Sequence, residues 1–291
     1  LLPPASMTKM MTSYIVSAEM DRGSINPDDL VDISVKAWKK GGSKMFVREG
    51  TKVSVKDLLR GVIIQSGNDA SIALAEHIAG SEEAFADVMN QQAALLGMTN
   101  SVFKNATGWP EDGHLSTARD LATLGSALIR DFPEHYALYS EKYFSYNGIT
   151  QPNRNKLLFT DKSVDGIKTG HTEEAGYGLA ASSKKGDMRL VSVVIGTRSE
   201  SARAAESQKL LAYGFRYYQT HKLYSENDVV NTVKVWKGQS DSLQLALPKD
   251  IYLTIPRGSE KALIATVNVD QDIQAPIQAG QELGNVVVTL N

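Results

Sequence analysis

Apolar residues recur at helical spacing from the start of the chain. After Ser6, Met7, Met10, Met11, Tyr14, Ile15 and Ala18 share one face, and Gly23 ends the pattern. Pro3 and Pro4 can precede such a helix but not continue one. A second amphipathic helix is predicted from about Ser54, with Val55, Leu58, Leu59, Val62 and Ile63 on one face. It runs into a turn-like break, Gln65-Ser66-Gly67-Asn68. A third helix is expected over Asp69–Ile78, closed by Gly80, and a fourth from Ser81 to Gly97. Residues 24–53 read as irregular, with short strands around Leu30–Val35 and Lys44–Val47. Residues 106–114 read as a loop. Thr117 and Asp120 begin a helix that reaches Arg130. Lys142–Tyr146, Asn147-Gly148 and Ile149–Gln151 predict a hairpin, because Asn-Gly suits a two-residue turn. Strands are expected over Val164–Thr169, Gly178–Ser182 and Arg189–Thr197, then a long helix over Glu200–Gln219.

After about Leu223 the helical period disappears. Short Val, Ile, Leu and Thr runs alternate with Asp, Gly, Asn and Pro. The expectation is a helix-and-sheet domain over residues 1–222 and a small all-β domain over 223–291. Composition changes this picture little. The 291 residues are 42% hydrophobic and 22% charged, as in ordinary globular chains. A net charge of −2 argues against bulk electrostatic recognition of nucleic acid. With no cysteine, the chain has no thiol nucleophile, disulfide or thiolate metal site. No apolar run is long enough to span a bilayer. His77, His114, His135 and His221 show no ligand spacing, so neither a metal nor another cofactor is expected.

Candidate chemistry lies in three short words, in this order: Ser6-Met7-Thr8-Lys9, Ser66-Gly67-Asn68 and Lys168-Thr169-Gly170. Ser-x-x-Lys also occurs at Ser101 and Ser182, and Ser-x-Asn at Ser24, Ser145 and Ser225, so context carries the signal. Ser6 and Lys9 open a helix, one turn apart. Ser66 and Asn68 sit in a tight break between helices. Lys168 lies on a strand flanked by glycines, where another backbone or a ligand comes close. A serine hydroxyl needs a base beside it, and a lysine can serve if burial and a second cation keep it neutral. On this reading Ser6 is the nucleophile, Lys9 the base, Lys168 the second cation, and Ser66 a proton relay. Asn68 can hold Lys9 and a substrate amide. Backbone N–H groups at Ser6 and near His171 would form an oxyanion hole, with the substrate backbone added along the strand edge. Against this stand ordinary roles: Ser6 as a helix cap, Asn68 as a turn residue, Arg154 as a surface ion pair, Trp109 as loop packing.

The three words are the set shared by penicillin-binding proteins and class A β-lactamases. Pro-Ala-Ser-Met-Thr-Lys-Met-Met-Thr-Ser-Tyr (4–14), Arg-Gly-Val-Ile-Ile-Gln-Ser-Gly-Asn-Asp-Ala (60–70), Asn-Gly-Ile-Thr-Gln-Pro-Asn-Arg-Asn (147–155) and Val-Asp-Gly-Ile-Lys-Thr-Gly-His-Thr (164–172) closely resemble the low-molecular-mass penicillin-binding proteins, the D-alanyl-D-alanine carboxypeptidases. The resemblance implies an antiparallel sheet flanked by helices and a β-rich second domain. It implies removal of the terminal D-alanine from peptidoglycan pentapeptides through an acyl-serine, with β-lactam antibiotics as covalent inhibitors. It implies catalytic Ser6, Lys9 and Ser66, with Asn68, Lys168, Thr169, Gly170 and His171 at the substrate and Arg154 near its carboxylate. It further implies a place on the periplasmic side of the inner membrane, held by a C-terminal anchor that this sequence does not include. Two strands that the family places before the Ser-x-x-Lys helix are absent, and the loop from Trp38 to Met45 is several residues short. The alternatives are a class A β-lactamase, whose Glu-x-x-Leu-Asn signature is missing, and a penicillin-binding sensor or scaffold without turnover.

Overall fold

The computed structural model describes residues 1–290, which form two compact units: Leu1–Lys185 with Arg189–Ala212, and Gly186–Met188 with the described residues from Tyr213 onward.

In the first unit a 3-10 turn over Ala5–Thr8 leads into α1 (Lys9–Asp21). The spacing predicts a helix with one buried face, but α1 is buried on every side from Lys9 to Ser17. Hydrogen bonds sustain its buried polar residues: the Thr12 hydroxyl donates to the Ala106 carbonyl at 2.7 Å and the Ser13 hydroxyl to that of Lys9 at 2.8 Å. β1 (Leu30–Asp32), α2 (Val35–Lys39) and β2 (Lys52–Ser54) follow, with β1 and β2 antiparallel. The strand expected over Lys44–Val47 is not formed. The buried Asp69 carboxylate takes the N–H groups of Met45, Phe46 and Val47 at 2.8, 2.8 and 3.2 Å, leaving no donors for a ladder.

α3 (Val55–Ile63), α4 (Asn68–Ala79) and α5 (Glu82–Leu95) match expectation, and the Ser54 and Ser81 hydroxyls cap α3 and α5. α6 (Ala118–Asp131) starts at a Thr117 cap, and the one-turn helix α7 (Pro133–Tyr136) follows. β3 (Tyr143–Tyr146) and β4 (Ile149–Pro152) form the predicted hairpin, with Asn147 and Gly148 both at positive φ. After the one-turn helix α8 (Leu157–Thr160), β5 (Val164–Thr172), β6 (Gly176–Lys185) and β7 (Met188–Thr197) form a three-stranded sheet in that order. These strands run longer than the sequence suggests. α9 spans Glu200–Tyr217 and stops two residues short of the expected Gln219. The main core gathers Met7, Met10 and Met11 with Leu58, Val62, Ile72, Leu121, Leu124 and Ile167. Burial of this apolar surface is the dominant favourable term for the unit.

The second unit holds β8 (Tyr218–Tyr224), β9 (Val229–Lys234), β10 (Ser242–Ala246), β11 (Ile251–Pro256), β12 (Leu263–Val269) and β13 (Gly284–Leu290). They pair antiparallel as β8 with β11, β9 with β10 and β12 with β13. Its apolar centre is small: Val235, Ile273 and Leu283. Among the described residues no helix is long and apolar enough to cross a membrane.

Candidate active site

The 3-10 turn brings Ser6 round so that the Lys9 ammonium nitrogen lies 3.0 Å from its Oγ. Lys9 Nζ also donates to Asn68 Oδ1 at 2.8 Å and to the Thr107 carbonyl at 2.6 Å, so all three of its donor directions are used. Thr107 is placed by Asn105, whose side-chain oxygen accepts from the N–H groups of Thr107, Gly108 and Trp109 and from the Thr107 hydroxyl. Gly108 has φ +78° and no room for a side chain, since a Cβ there would lie 1.8 Å from the Ala5 carbonyl oxygen. The loop from 105 to 109 is thereby pressed onto the turn that carries Ser6.

The second word is held by backbone. Ser66 sits at φ 59°, a left-handed conformation that costs energy for a side chain other than glycine. The flanking bonds hold it there: Gly67 N–H to the Gly61 carbonyl at 2.9 Å and Asn68 N–H to the Ser43 carbonyl at 2.8 Å. Asn68 opens α4. Its Oδ1 faces Lys9 while its Nδ2 donates to the Gly41 carbonyl at 2.8 Å, and these partners fix the amide orientation. Asp69, next in sequence, pins the loop from Met45 to Val47 behind it.

The third word lies on β5. Lys168 Nζ donates to Ser66 Oγ at 2.9 Å and to the Thr169 carbonyl at 3.2 Å. A Cβ on Gly170 would come within 2.8 Å of the Pro4 carbonyl oxygen, so glycine lets β5 pass against the turn bearing Ser6. Ser6, Lys9 and Asn68 form one hydrogen-bonded group and Ser66 and Lys168 a second, with Thr169 buried beside it, and the charge of Lys9 acts on Lys168. His171 is exposed, with its ring stacked on Tyr177 at 3.9 Å, which leaves its backbone as the part facing along the strand. Arg154 is exposed and has no hydrogen bond or ion pair among the described residues. Its charge nevertheless acts on both lysines.

Both lysines are almost wholly out of water, at 1% and 2% exposure. Burial pushes Lys9 down to about 7, helped by the Arg154 and Lys40 charges and opposed by Asp69 and Glu82. Burial likewise holds Lys168 well below the usual lysine range, with the Lys9, Arg154 and Arg203 charges adding to it. Desolvation is the leading cause of the low Lys9 value, and the second cation suggested by the sequence, Lys168, is coupled to Lys9 by charge repulsion. A half-deprotonated lysine in hydrogen-bond reach of a serine hydroxyl is a competent general base at neutral pH.

Sequence reasoning missed several parts of this frame. Arg203, in α9, is 5% exposed and donates to the Gly170 carbonyl at 3.1 Å. No motif in the sequence marks it. Asn105 and Thr107 lie in the loop read only as Gly-, Trp- and Pro-rich, although Asn two residues before Thr-Gly is an Asx-turn signal. Asp69 directly follows Asn68, and only its place in the first turn of α4 hinted at a structural role. His114 is neutral and structural: burial pushes it down to about 4, and it bonds the Thr8 hydroxyl at 2.9 Å. Among the described residues no group of His, Asp and Glu could hold a metal ion.

Known proteins resemble this chain in sequence and fold. Residues 1–199 match the family model described as D-alanyl-D-alanine carboxypeptidase, and residues 218–291 match that of the penicillin-binding protein 5 C-terminal domain. The D-alanyl-D-alanine carboxypeptidase DacA of Escherichia coli strain K12 is 46% identical over 291 residues, covering 97% of this chain and 72% of its own. DacC of the same strain is 45% identical over 298 residues, covering all of this chain and 74% of its own. The solved structure of penicillin binding protein 5 from Haemophilus influenzae superposes with a TM-score of 0.87 at 43% identity, covering 99% of this chain and 86% of that one. Penicillin-binding protein D2 from Listeria monocytogenes in its ampicillin-bound form has a TM-score of 0.67 at 30% identity, covering 74% of this chain and 87% of that one. With its catalytic-family match across more than half its length and full-length relatives above 40% identity, this chain belongs to the D-alanyl-D-alanine carboxypeptidase family.

Proposed function

We propose that Ser6 is acylated by the penultimate D-alanine of a peptidoglycan pentapeptide and that water then frees the shortened peptide. The chain is a D-alanyl-D-alanine carboxypeptidase, a hydrolase of the penicillin-binding class. The observation that carries the residue assignment is the contact between Lys9 Nζ and Ser6 Oγ, 3.0 Å, in a site where burial brings Lys9 to about 7.

Neutral Lys9 takes the Ser6 proton as Oγ attacks the carbonyl carbon. Backbone N–H groups of Ser6 and His171 receive the developing oxyanion. The C–N bond breaks, and the proton that Lys9 took from Ser6 passes by way of Ser66 to the leaving D-alanine nitrogen, which returns Lys9 to its neutral form. Asn68 keeps Lys9 oriented and offers its remaining amide hydrogen to the substrate. Thr169, Lys168 and Arg154 face the terminal carboxylate, whose arrival supplies the anion that lets a buried lysine hold its proton. Gly170 keeps the strand edge bare for the substrate backbone. Water attacks the acyl-serine with Lys9 again as base, and Ser6 regains its proton. A β-lactam enters by the same attack, opening its ring amide to form the acyl-serine.

The division of labour we favour gives catalysis to residues 1–222 and makes residues 223–291 a spacer that holds the catalytic part away from a membrane anchor. A peptidoglycan substrate lies outside the cytoplasm, and the reading we favour puts the enzyme on the periplasmic side of the inner membrane. The test is mass spectrometry after incubation with a penicillin: one covalent adduct is expected, on Ser6, and none in Ser6→Ala. An adduct on another serine overturns the assignment. Steady D-alanine release from a small D-Ala-D-Ala peptide separates the enzyme from a sensor without turnover.

A further inference from the structure

The hairpin that leads to Arg154 ends in a pair of exposed rings. Tyr143 is 57% exposed and Phe159 40%, and the two meet edge to face with centroids 5.6 Å apart. The Lys142 ammonium lies over the Phe159 ring at 5.8 Å. Their neighbours show that the exposure is built in. On β3 the alternation turns Phe144 into the core, under the Arg60 guanidinium, and Tyr143 outward. In α8 Leu157 and Leu158 go into a satellite core with Leu179 and Leu211, and Phe159 is left outside. The pair is also tied to the reaction centre. Tyr143 pairs with Pro152, and the Asn153 N–H donates to the Lys142 carbonyl at 2.7 Å, one residue before Arg154. On the inner side of the same strand, the Phe144 carbonyl accepts from the side chain of Gln65, next to Ser66, at 3.2 Å.

Exposed aromatic rings set at an angle beside a cation form a notch with apolar walls, and such patches mark interaction surfaces. The reaction described above, on which this inference rests, acts on a peptide carried by a polymer of pyranose rings. Those rings offer flat C–H faces to aromatic walls, and the stem carboxylates offer charge to Lys142. We propose that Tyr143, Phe159 and Lys142 form a rest for the glycan strand of polymeric peptidoglycan. A stem peptide leaving a strand seated there passes Arg154 on its way to Ser6. A small soluble peptide has no glycan and does not use the rest.

The test is the double variant Tyr143→Ala/Phe159→Ala in the full chain, assayed on two substrates. On a small D-Ala-D-Ala peptide, and in penicillin acylation, the variant should match the unsubstituted protein within about twofold. On insoluble pentapeptide-rich peptidoglycan its D-alanine release should fall about fivefold to tenfold, the loss expected from two stacking contacts. In parallel, penicillin-blocked protein should sediment with peptidoglycan stripped of its stem peptides, and the variant should sediment less. Equal activity on both substrates with unchanged sedimentation overturns the proposal. So does an equal loss on both substrates, which would put the rings inside the reaction site. So does binding that survives on lipid vesicles of anionic composition and not on glycan, which would make the patch a membrane contact. Failure of the unsubstituted protein to release D-alanine from the small peptide would instead sink the carboxypeptidase reading, while the sedimentation arm would still decide the glycan contact.

Discussion

The two units of this chain solve different problems. The first buries more than thirty apolar side chains in one continuous core, and inside that core it places Lys9, Asn68, Asp69 and Lys168. The second buries Val235, Ile255, Ile273 and Leu283, and every charged side chain in it keeps contact with water. A buried lysine disfavours its own charged form, so only a unit with ample apolar burial elsewhere can carry two of them. The first unit accepts that loss and gains a base that is half neutral near pH 7. The second holds itself together with three strand pairs and surface ion pairs such as Lys222 with Asp250, 2.9 Å apart. Ion pairs of that kind contribute little each. On the proposed reading, reaction chemistry follows the deep core, and the strand pairs serve shape.

The sharpest way to break this comparison is to remove the nucleophile. Ser6→Ala should lower D-alanine release by about 10⁴-fold or more, with the circular dichroism and melting temperature of the unsubstituted chain. Activity that persists would mean the buried cluster is structural, as in the second unit.

Lys9 offers a test with two readouts. Acylation should rise with pH through about 7, because the base must be neutral. Lys9→Met should lower it by about 10³-fold and remove that dependence. Stability must move in the matching direction. Lys9 is at 10.5 in the unfolded chain and about 7 when folded, so between those values the unfolded state binds more protons. The protonation penalty is therefore fully present below about pH 7 and disappears as pH rises to 10.5. Urea denaturation should show the unsubstituted chain gaining stability relative to Lys9→Met over that window. A flat difference would mean that Lys9 is not desolvated.

A smaller effect is expected one step away from the chemistry. Asn105→Ala removes the acceptor for four donors in the loop whose Thr107 carbonyl holds Lys9. Stability should fall by about 2 kcal/mol, and acylation by roughly tenfold through misplacement of Lys9. Asn105→Asp keeps the acceptor but loses the two donations of the amide, to the Trp109 carbonyl and Glu111 at 3.0 Å each, so it should recover only part of the acylation rate. If it recovers none, the loop does not position the base.

The parts of the molecule that were legible in the sequence are those whose physics is local. Capping hydroxyls at Ser54, Ser81 and Thr117 and the Asn147-Gly148 turn fix helix starts and the hairpin within a few residues. The residues proposed to react stood out as candidates because each lies in a short word with its own backbone context. What was not legible depends on distant partners. The Lys44–Val47 segment has the residues of a strand, but Asp69, at the start of α4, takes its N–H groups. Arg203 reaches the Gly170 carbonyl from a helix that begins after the sheet is complete. The short helix α2 was hidden inside a stretch too polar to show a period. The extent to which Lys9 is buried was not legible either, because it comes from a core assembled along the whole first unit.

The last test concerns the unit without buried chemistry, and its expected effect on the reaction is none. Ile273 is 7% exposed and stands with Val235 and Leu283 in the small apolar centre of the second unit. Ile273→Asp puts an unpaired carboxylate there, and a core this small has little with which to offset it. The second unit should lose its strand signal in circular dichroism and become open to limited proteolysis from about residue 218 onward, where β8 begins. The hydrogen bonds of Lys9 to Ser6, Asn68 and Thr107, and of Lys168 to Ser66 and Thr169, all close within the first unit. Hydrolysis of a small D-Ala-D-Ala peptide and acylation by a penicillin should therefore stay within about twofold. Additivity of distant sites makes the same statement energetically. If peptide hydrolysis collapses while the first unit keeps its own melting transition, the strand pairs shape the site, and the division drawn between the two units is wrong.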